Sequence, residues 1–523
     1  MNSRPRLQAL ALSATFILVI FAVFGCVTSF AQIERPEQYP VTGGVESLPL
    51  RLLSTLVPRD PSTRPTFVPT TPCSSGGAAG NFTIVLNCDG NDNDGSAAYS
   101  IVPDMDLAVG EQYFFQTVDN VFTIYNKADD SIVEGPDPLT LPWTEYKNSS
   151  CSTPGAGDDF FVRYDKAAAR WVLGLPIFGD AHGKYWLCLA VSTSSDPTGT
   201  YYLYSIEETG QLNPIWDYPK LGVWTDAYYV GFNMISPKPV YIGPRACALD
   251  RTSMLSGLMP ARMQCFTEDG NNDSFMLPAD IAGGSPPTAG EPEFFLDIAR
   301  GSGGVRSALN LRKFHVDFTD VQNSTFTETP LPTADFTEAP QVVGEPHGWL
   351  YTRSDRLMVP LAWRQTSDGV EHLIVNDAVL SNGITSEQWF DITNPNTSPI
   401  AAQQSTLAPG ANQNFWMGSA NIDKDGNIAL GFSETSHRLF PGISFTGRLS
   451  TDPLNTMEAT QNIIAGAGYQ NGIGNEWGDH SIMAVDPTDD CTFWYSNEYY
   501  TAANTDSDLW STRVVEFKFT SCQ

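Results

Sequence analysis

The chain has 523 residues, with 29 Lys+Arg against 59 Asp+Glu and a formal net charge of −30. A surface of that sign repels phosphate backbones and anionic lipid, so no nucleic-acid or membrane-surface binding is expected. Gly (43), Pro (37) and aromatics (11%) are plentiful while charged residues make up only 17%, the balance of a turn-rich β protein rather than a helical or disordered one.

At the N-terminus, Arg4 and Arg6 precede a nearly uncharged run from Leu7 to Phe30, and Ser29-Phe30-Ala31 puts small residues where a signal peptidase reads. Residues 1–31 are expected to be a signal peptide, and loss of the two arginines takes the charge to −32. Val23-Phe24-Gly25-Cys26 loosely matches a lipobox, so lipid anchoring at Cys26 is the rival, although Phe24 is bulky for one. No later segment reaches the ~20 apolar residues needed to span a bilayer. The expected product is a secreted, extracellular monomer.

Removing Cys26 with the leader leaves Cys73, Cys88, Cys151, Cys188, Cys247, Cys265, Cys491 and Cys522, an even set that reads as a disulfide framework in an exported chain. Sequential pairing is the economical choice: Cys73–Cys88, Cys151–Cys188, Cys247–Cys265 and Cys491–Cys522. The absence of any C-x-x-C argues for a structural role.

Residues 32–75 are Pro- and Thr-rich and short of strand signals, which predicts an extended leader or linker. From Asn81 onward, short aromatic and β-branched runs such as Tyr113–Val118, Arg170–Gly174, Tyr185–Val191 and Ala227–Phe232 alternate with Gly, Pro, Asp or Asn. Four-strand blocks begin near residues 100, 157, 217, 272, 345, 411 and 477. That spacing predicts an all-β fold over residues 76–523, a single seven-bladed β-propeller with long loops. Several blocks open on an acidic residue (Asp104, Asp159, Asp226, Asp479). These could line one funnel, or simply cap the turns that precede the strands.

Ser194-Ser-Asp-Pro-Thr-Gly-Thr-Tyr201 and Ser450-Thr-Asp-Pro-Leu-Asn-Thr-Met457 share Ser-x-Asp with a Thr four residues on. They resemble degenerate Asp-box hairpins of sialidase-type propellers, which are structural devices and imply fold, not activity. Longer runs resemble a family of exported β-propeller proteins: Pro103-Asp-Met-Asp-Leu-Ala-Val-Gly110, Asp217-Tyr-Pro-Lys-Leu-Gly-Val-Trp-Thr-Asp-Ala-Tyr-Tyr229, Gly426-Asn-Ile-Ala-Leu-Gly-Phe-Ser433 and the block from Trp477 to Tyr499. The resemblance implies the propeller and brings no activity with it. His480 and Asn376 depart from its pattern, which would have Tyr and His there.

No nucleophile elbow, His-Glu-x-x-His, P-loop or dinucleotide fingerprint occurs. The Asp/Asn-dense run at Asp89, Asn91, Asn93 and Asp94 offers clustered oxygens and is the candidate calcium site. Asp423-Lys-Asp-Gly-Asn427 reads as a hairpin turn. Two functional classes remain. One is a binding or scaffold propeller for a glycan or an extracellular protein, with Arg448, Trp224 and Trp477 as contacts, because aromatic faces suit sugar stacking. The other is a secreted carbohydrate-active enzyme with Asp226, Asp479 and Glu498 as acid, base or nucleophile. Convergence of those three acids in one pocket would favour the enzyme.

Overall fold

In a computed structural model of the chain, residues 35–56 and 77–523 are described, apart from 93–101, 119–120, 147–149, 153–158, 181, 211–212, 239, 260, 269, 271–274, 302–303, 345–347, 411, 471–474 and 502–509. The β-branched and aromatic runs form antiparallel up-and-down blades of four strands, hydrogen-bonded in sequence order in all but the last. Blade 1 opens at Asp106–Val109, blade 2 at Phe161–Asp165, blade 3 at Ile215–Val223 and blade 4 at Leu277–Ile281. Blades 5, 6 and 7 open at Met358–Gln365, Gln413–Ile422 and Ile482–Val485. These first strands adjoin one another in succession, and the blade 7 strand lies beside that of blade 1, so the ring closes. The molecule is a seven-bladed β-propeller whose block boundaries match the sequence spacing.

The last blade is completed from the other end of the chain. Its strands Ile482–Val485, Phe493–Tyr499 and Ser511–Phe519 are followed by Phe82–Asp92, which pairs antiparallel with Ser511–Phe519. Joining the two ends of the ring in one sheet removes the seam that would otherwise expose two blade faces. Phe82 packs on Phe445, Phe517 and Phe519 at 4.6–6.1 Å between ring centres, so apolar burial reinforces the strand pairing.

The stretch expected to be a leader or linker is partly built into the fold. Strand β1 (Glu37–Glu46) pairs through residues 37–40 with the outer strand of blade 3 and through residues 41–46 with the outer strand of blade 2. It thereby joins two blades into one nine-stranded sheet. Tyr39 and Val41 alternate inward and are 4% exposed, a period-2 signal that Pro36 and Pro40 obscured. Gly43 lies against the backbone of the neighbouring strand, where a Cβ would come within 2.2 Å of the Leu203 carbonyl oxygen. Helix α1 (Leu50–Leu56) follows and buries Leu50 and Leu53.

Disulfides Cys151–Cys188, Cys247–Cys265 and Cys491–Cys522 form as sequential pairing predicts. Cys88 is also disulfide-bonded; Cys73, its expected partner, lies outside the described residues. Among the described residues no helix is long and apolar enough to cross a membrane.

The first strands of the blades run in the same direction around the channel, as the parallel pairing Ala279↔Leu361 requires. They therefore define an upper face, where they begin, and a lower face, where they end. At the lower face Asp490 of blade 7 takes Lys166 of blade 2 at 2.9 Å and Arg364 of blade 5 at 3.2 Å. These blades are not neighbours, so the ion pairs cross the channel and block that end.

A candidate functional site at the upper mouth of the channel

The chain reaches the channel through sharp turns. Asp104, Asp159, Tyr218, Met417 and Asp479 all have φ between 39° and 57° at or just before the first strands of blades 1, 2, 3, 6 and 7. Asp tolerates this left-handed conformation, whereas Tyr and Met adopt it at a cost that persists only where the surroundings hold it. Tyr218 and Met417 also sit where strand register breaks, between Asp217 and Lys220 and between Trp416 and Ser419. Such bulges re-aim side chains: the Tyr218 ring comes against Lys220, and Met417 packs in the core beside Trp416 and Trp477.

One carboxylate oxygen each from Asp104, Asp159 and Asp479 lies within 4.8 Å of the other two. The turn chemistry that places these acids thus also brings blades 1, 2 and 7 together in a ring of negative charge. Asp479 is paired with Arg353, which also reaches Glu476 at 3.3 Å. The Tyr218 backbone N–H donates to Asp159 Oδ2 at 3.1 Å, and its hydroxyl donates to the Asp479 carbonyl at 3.4 Å. Lys220 holds its Nζ 3.7 Å from the Tyr218 ring centre, and the Arg356 guanidinium lies 4.6 Å from the same ring. Burial lowers the Lys220 pKa against the opposing pull of Asp159, Asp106, Asp479 and Asp104. Deeper in the channel, Arg163 pairs with Asp106 at 2.6 Å, with both side chains at most 5% exposed. His480 is 2% exposed with Nδ1 lacking a hydrogen-bond partner. Burial, with Lys220 and Arg163 nearby, holds that imidazole neutral, far below its ordinary pKa.

Beside the mouth, between blades 3, 4 and 5, opens a pocket of about 520 Å³. Its walls include Asp217, Asn233, Tyr241, Arg306, Glu338 and Arg356. Donors and acceptors of both signs therefore face one cavity. Burial raises the Asp217 pKa, with Arg356 pulling it down and Asp479 pushing it up. Tyr241, Trp349 and Tyr351 are 37%, 56% and 41% exposed and are the exposed aromatics among the described residues. Tyr241 begins the third strand of blade 3, next to the pocket. Trp349 and Tyr351 lie on the link between blades 4 and 5, which also carries Arg353 and Arg356. All three belong to upper-face segments.

The residues singled out from sequence fare unevenly. Asp479 is at the mouth. Glu498 lies just beneath it, 0% exposed, and burial raises its pKa well above the usual range. Asp226 is in the hairpin that follows the first strand of blade 3, eight residues beyond Tyr218, so it lies at the lower face about 25 Å away. It accepts from the Tyr229 hydroxyl at 3.3 Å. The three acids therefore do not converge.

Trp224 and Trp477 are fully buried. Their indole N–H groups donate to the Glu291 carbonyl and the Ser433 hydroxyl, so neither offers a face to a ligand. Arg448 is 2% exposed and donates to the Asp452 carbonyl at 2.9 Å, bracing a turn. Sequence favoured these because Trp and Arg suit sugars; each stands in a strand run or at its end, which is where blade packing claims large side chains. Trp349 and Tyr351 were missed, although their setting in a Gly-, Arg- and Asp-rich segment marked them as loop residues.

The candidate calcium residues Asp89 and Asn91 belong to the strand Phe82–Asp92, not to a loop. Asp89 pairs with Arg513 and accepts from the Tyr499 hydroxyl at 2.6 Å. Asn91 accepts from Thr123 at 2.8 Å. Asn93 and Asp94 lie outside the described residues. A carboxylate neutralised by a guanidinium is a poor cation ligand, and the described acidic groups that come together are those of the mouth instead. Asp423 accepts from the Asp425 and Asn427 backbone N–H groups, as the expected hairpin turn requires. The two Asp-box-like runs each join the third and fourth strands of a blade. Asp196 accepts from Thr198 ahead of it, whereas Asp452 accepts from Leu449 behind it.

No protein-family model matches the chain, and no curated protein matches it. Among solved structures it is similar to the Dos1 propeller, at 10% identity and TM-score 0.35, over 78% of this chain and 75% of that one. It is also similar to an exo-β-1,3-galactanase from Phanerochaete chrysosporium with galactose, at 10% identity and TM-score 0.29, over 82% and 95%. An α-L-arabinanase from Penicillium chrysogenum complexed with arabinobiose aligns at 10% identity and TM-score 0.30, over 68% and 91%.

Proposed function

We propose that the protein is an extracellular saccharide-binding propeller whose ligand lies on the upper face. The observation that carries this reading is the placement of Tyr241, Trp349 and Tyr351, the exposed aromatics among the described residues, on segments of the face that holds the charged mouth. Exposed aromatic rings stack on the apolar faces of sugars, and mixed carboxylate, amide and guanidinium groups match hydroxyls that both donate and accept. The disulfide framework fits an oxidising compartment.

Binding is favoured over hydrolysis. Glu498 has no surface on which to meet a substrate, and Asp226 lies at the far end of its strand from Asp479. A glycan array, followed by a reducing-sugar assay on every glycan retained, tests both halves of the reading. Retention without sugar release is expected, with Trp349→Ala and Tyr351→Ala each weakening it about tenfold, the scale of one lost stacking contact. An empty array overturns the saccharide reading, and release of reducing sugar converts it into an enzyme.

A further inference from the structure

We propose that the upper mouth is a blind cup that receives the terminal ring of a neutral saccharide chain, with Lys220 and the carboxylates of Asp104, Asp159 and Asp479 on its hydroxyls. The inference rests on the saccharide reading above and adds which part of the ligand is recognised.

Lys220 is only 3% exposed, yet its ammonium makes no hydrogen bond or ion pair among the described residues, and the Tyr218 ring is its close neighbour. An ammonium carries three donors, and the Lys220 Nζ is not among the side-chain atoms sealed from solvent, so its donors are left to whatever occupies the mouth. Tyr218, whose ring lies against this ammonium, is itself hydrogen-bonded to Asp159 and to the Asp479 carbonyl, which places the ammonium beside the ring of acids, with no ion pair to them. Vicinal hydroxyls fill such a gap, because each accepts from Lys220 while donating to a carboxylate. A bare cation would satisfy the carboxylates and repel the ammonium beside them.

The channel beneath is not a passage. The Arg163–Asp106 pair occupies it below the mouth, and Asp490 ties blades 2, 5 and 7 together at the lower end. A chain cannot thread through, so only an end can enter, while Trp349 and Tyr351 remain available to the rings that follow.

The test uses the full secreted chain on an array of immobilised neutral glycans, before and after on-array removal of terminal residues by exoglycosidases. Retained glycans are expected to share a terminal residue and to be lost on trimming. Lys220→Met is expected to weaken binding at least tenfold. If Lys220→Met lowers the melting temperature, Asp104→Asn at the rim carries the same test. Retention that survives trimming, or that both variants leave unchanged while Trp349→Ala abolishes it, overturns the cup and leaves the saccharide reading standing. Failure to retain any glycan removes both. Calorimetric titration with calcium chloride is the last arm: one ion bound per chain, lost in Asp479→Asn, would overturn the inference by showing that the ring holds a cation.

Discussion

Lys220 holds its ammonium 3.7 Å from the centre of the Tyr218 ring, with only Pro219 between them in the chain. In a regular strand such residues share a face but stand about 6.6 Å apart. Here the left-handed φ of 53° at Tyr218 and the register break before Lys220 bring ring and cation together. The strained backbone therefore serves the contact at the mouth.

Tyr218 is 2% exposed and also packs edge-on against Phe275 at 5.0 Å. Tyr218→Ala is expected to destabilise the protein by about 3 kcal/mol, the scale of a buried aromatic truncation. Tyr218→Phe, which loses only the 3.4 Å bond to the Asp479 carbonyl, is expected to cost less than about 1 kcal/mol. Urea unfolding of the two variants separates the ring from its hydroxyl.

Burial raises the carboxyl pKa of Glu387 and Glu516 to about 7, and of Asp280 and Asp423 to about 6. Folded pKa values above the unfolded ones mean that the native state binds these protons more tightly. The stability they contribute is complete below the ordinary carboxyl range and is lost as pH rises toward about 7. His480, held neutral, acts in the opposite sense. Thermal melts are expected to show a fall of roughly 5 °C between about pH 5 and pH 8. Glu387→Gln is expected to flatten that fall, and a melting temperature rising across the interval would refute the assignment.

Cys491–Cys522 closes a loop of 31 residues around the last blade. Replacing both cysteines with Ala is expected to cost about 3 kcal/mol through the entropy of the unfolded chain. Because this blade also completes the ring, the loss should appear as a lower midpoint for the whole molecule in denaturant, not as a separate transition.

Strand β1 covers the outer edges of blades 2 and 3 at once. Deleting residues 33–56 would expose two rows of unpaired backbone groups on neighbouring blades, which invites pairing between molecules. The truncated protein is expected to elute as oligomers in size-exclusion chromatography. A monomer of unchanged melting temperature would show β1 to be dispensable.

How much of this was legible in advance varies by feature. Strand runs, the seven-block spacing and three disulfide pairs could be read along the chain, because alternation, turn residues and cysteine order are local properties. Strand β1 was obscured because Pro36 and Pro40 imitate a linker while the alternation of Tyr39 and Val41 is brief. The site was read least well. Asp104, Asp159 and Asp479 could be picked out singly as acids that open a block, but not joined, since they belong to blades 1, 2 and 7, far apart in the chain and neighbours only when the ring closes. Trp224 and Trp349 make the same point about exposure: the residue type is the same, sequence favoured Trp224 and not Trp349, and burial within the blades left Trp349 rather than Trp224 on the surface. By itself, the sequence determined that this chain folds as a ring of β-sheets stapled by disulfides. Only the tertiary structure decided which carboxylates share one mouth, because that depends on the closure of the ring.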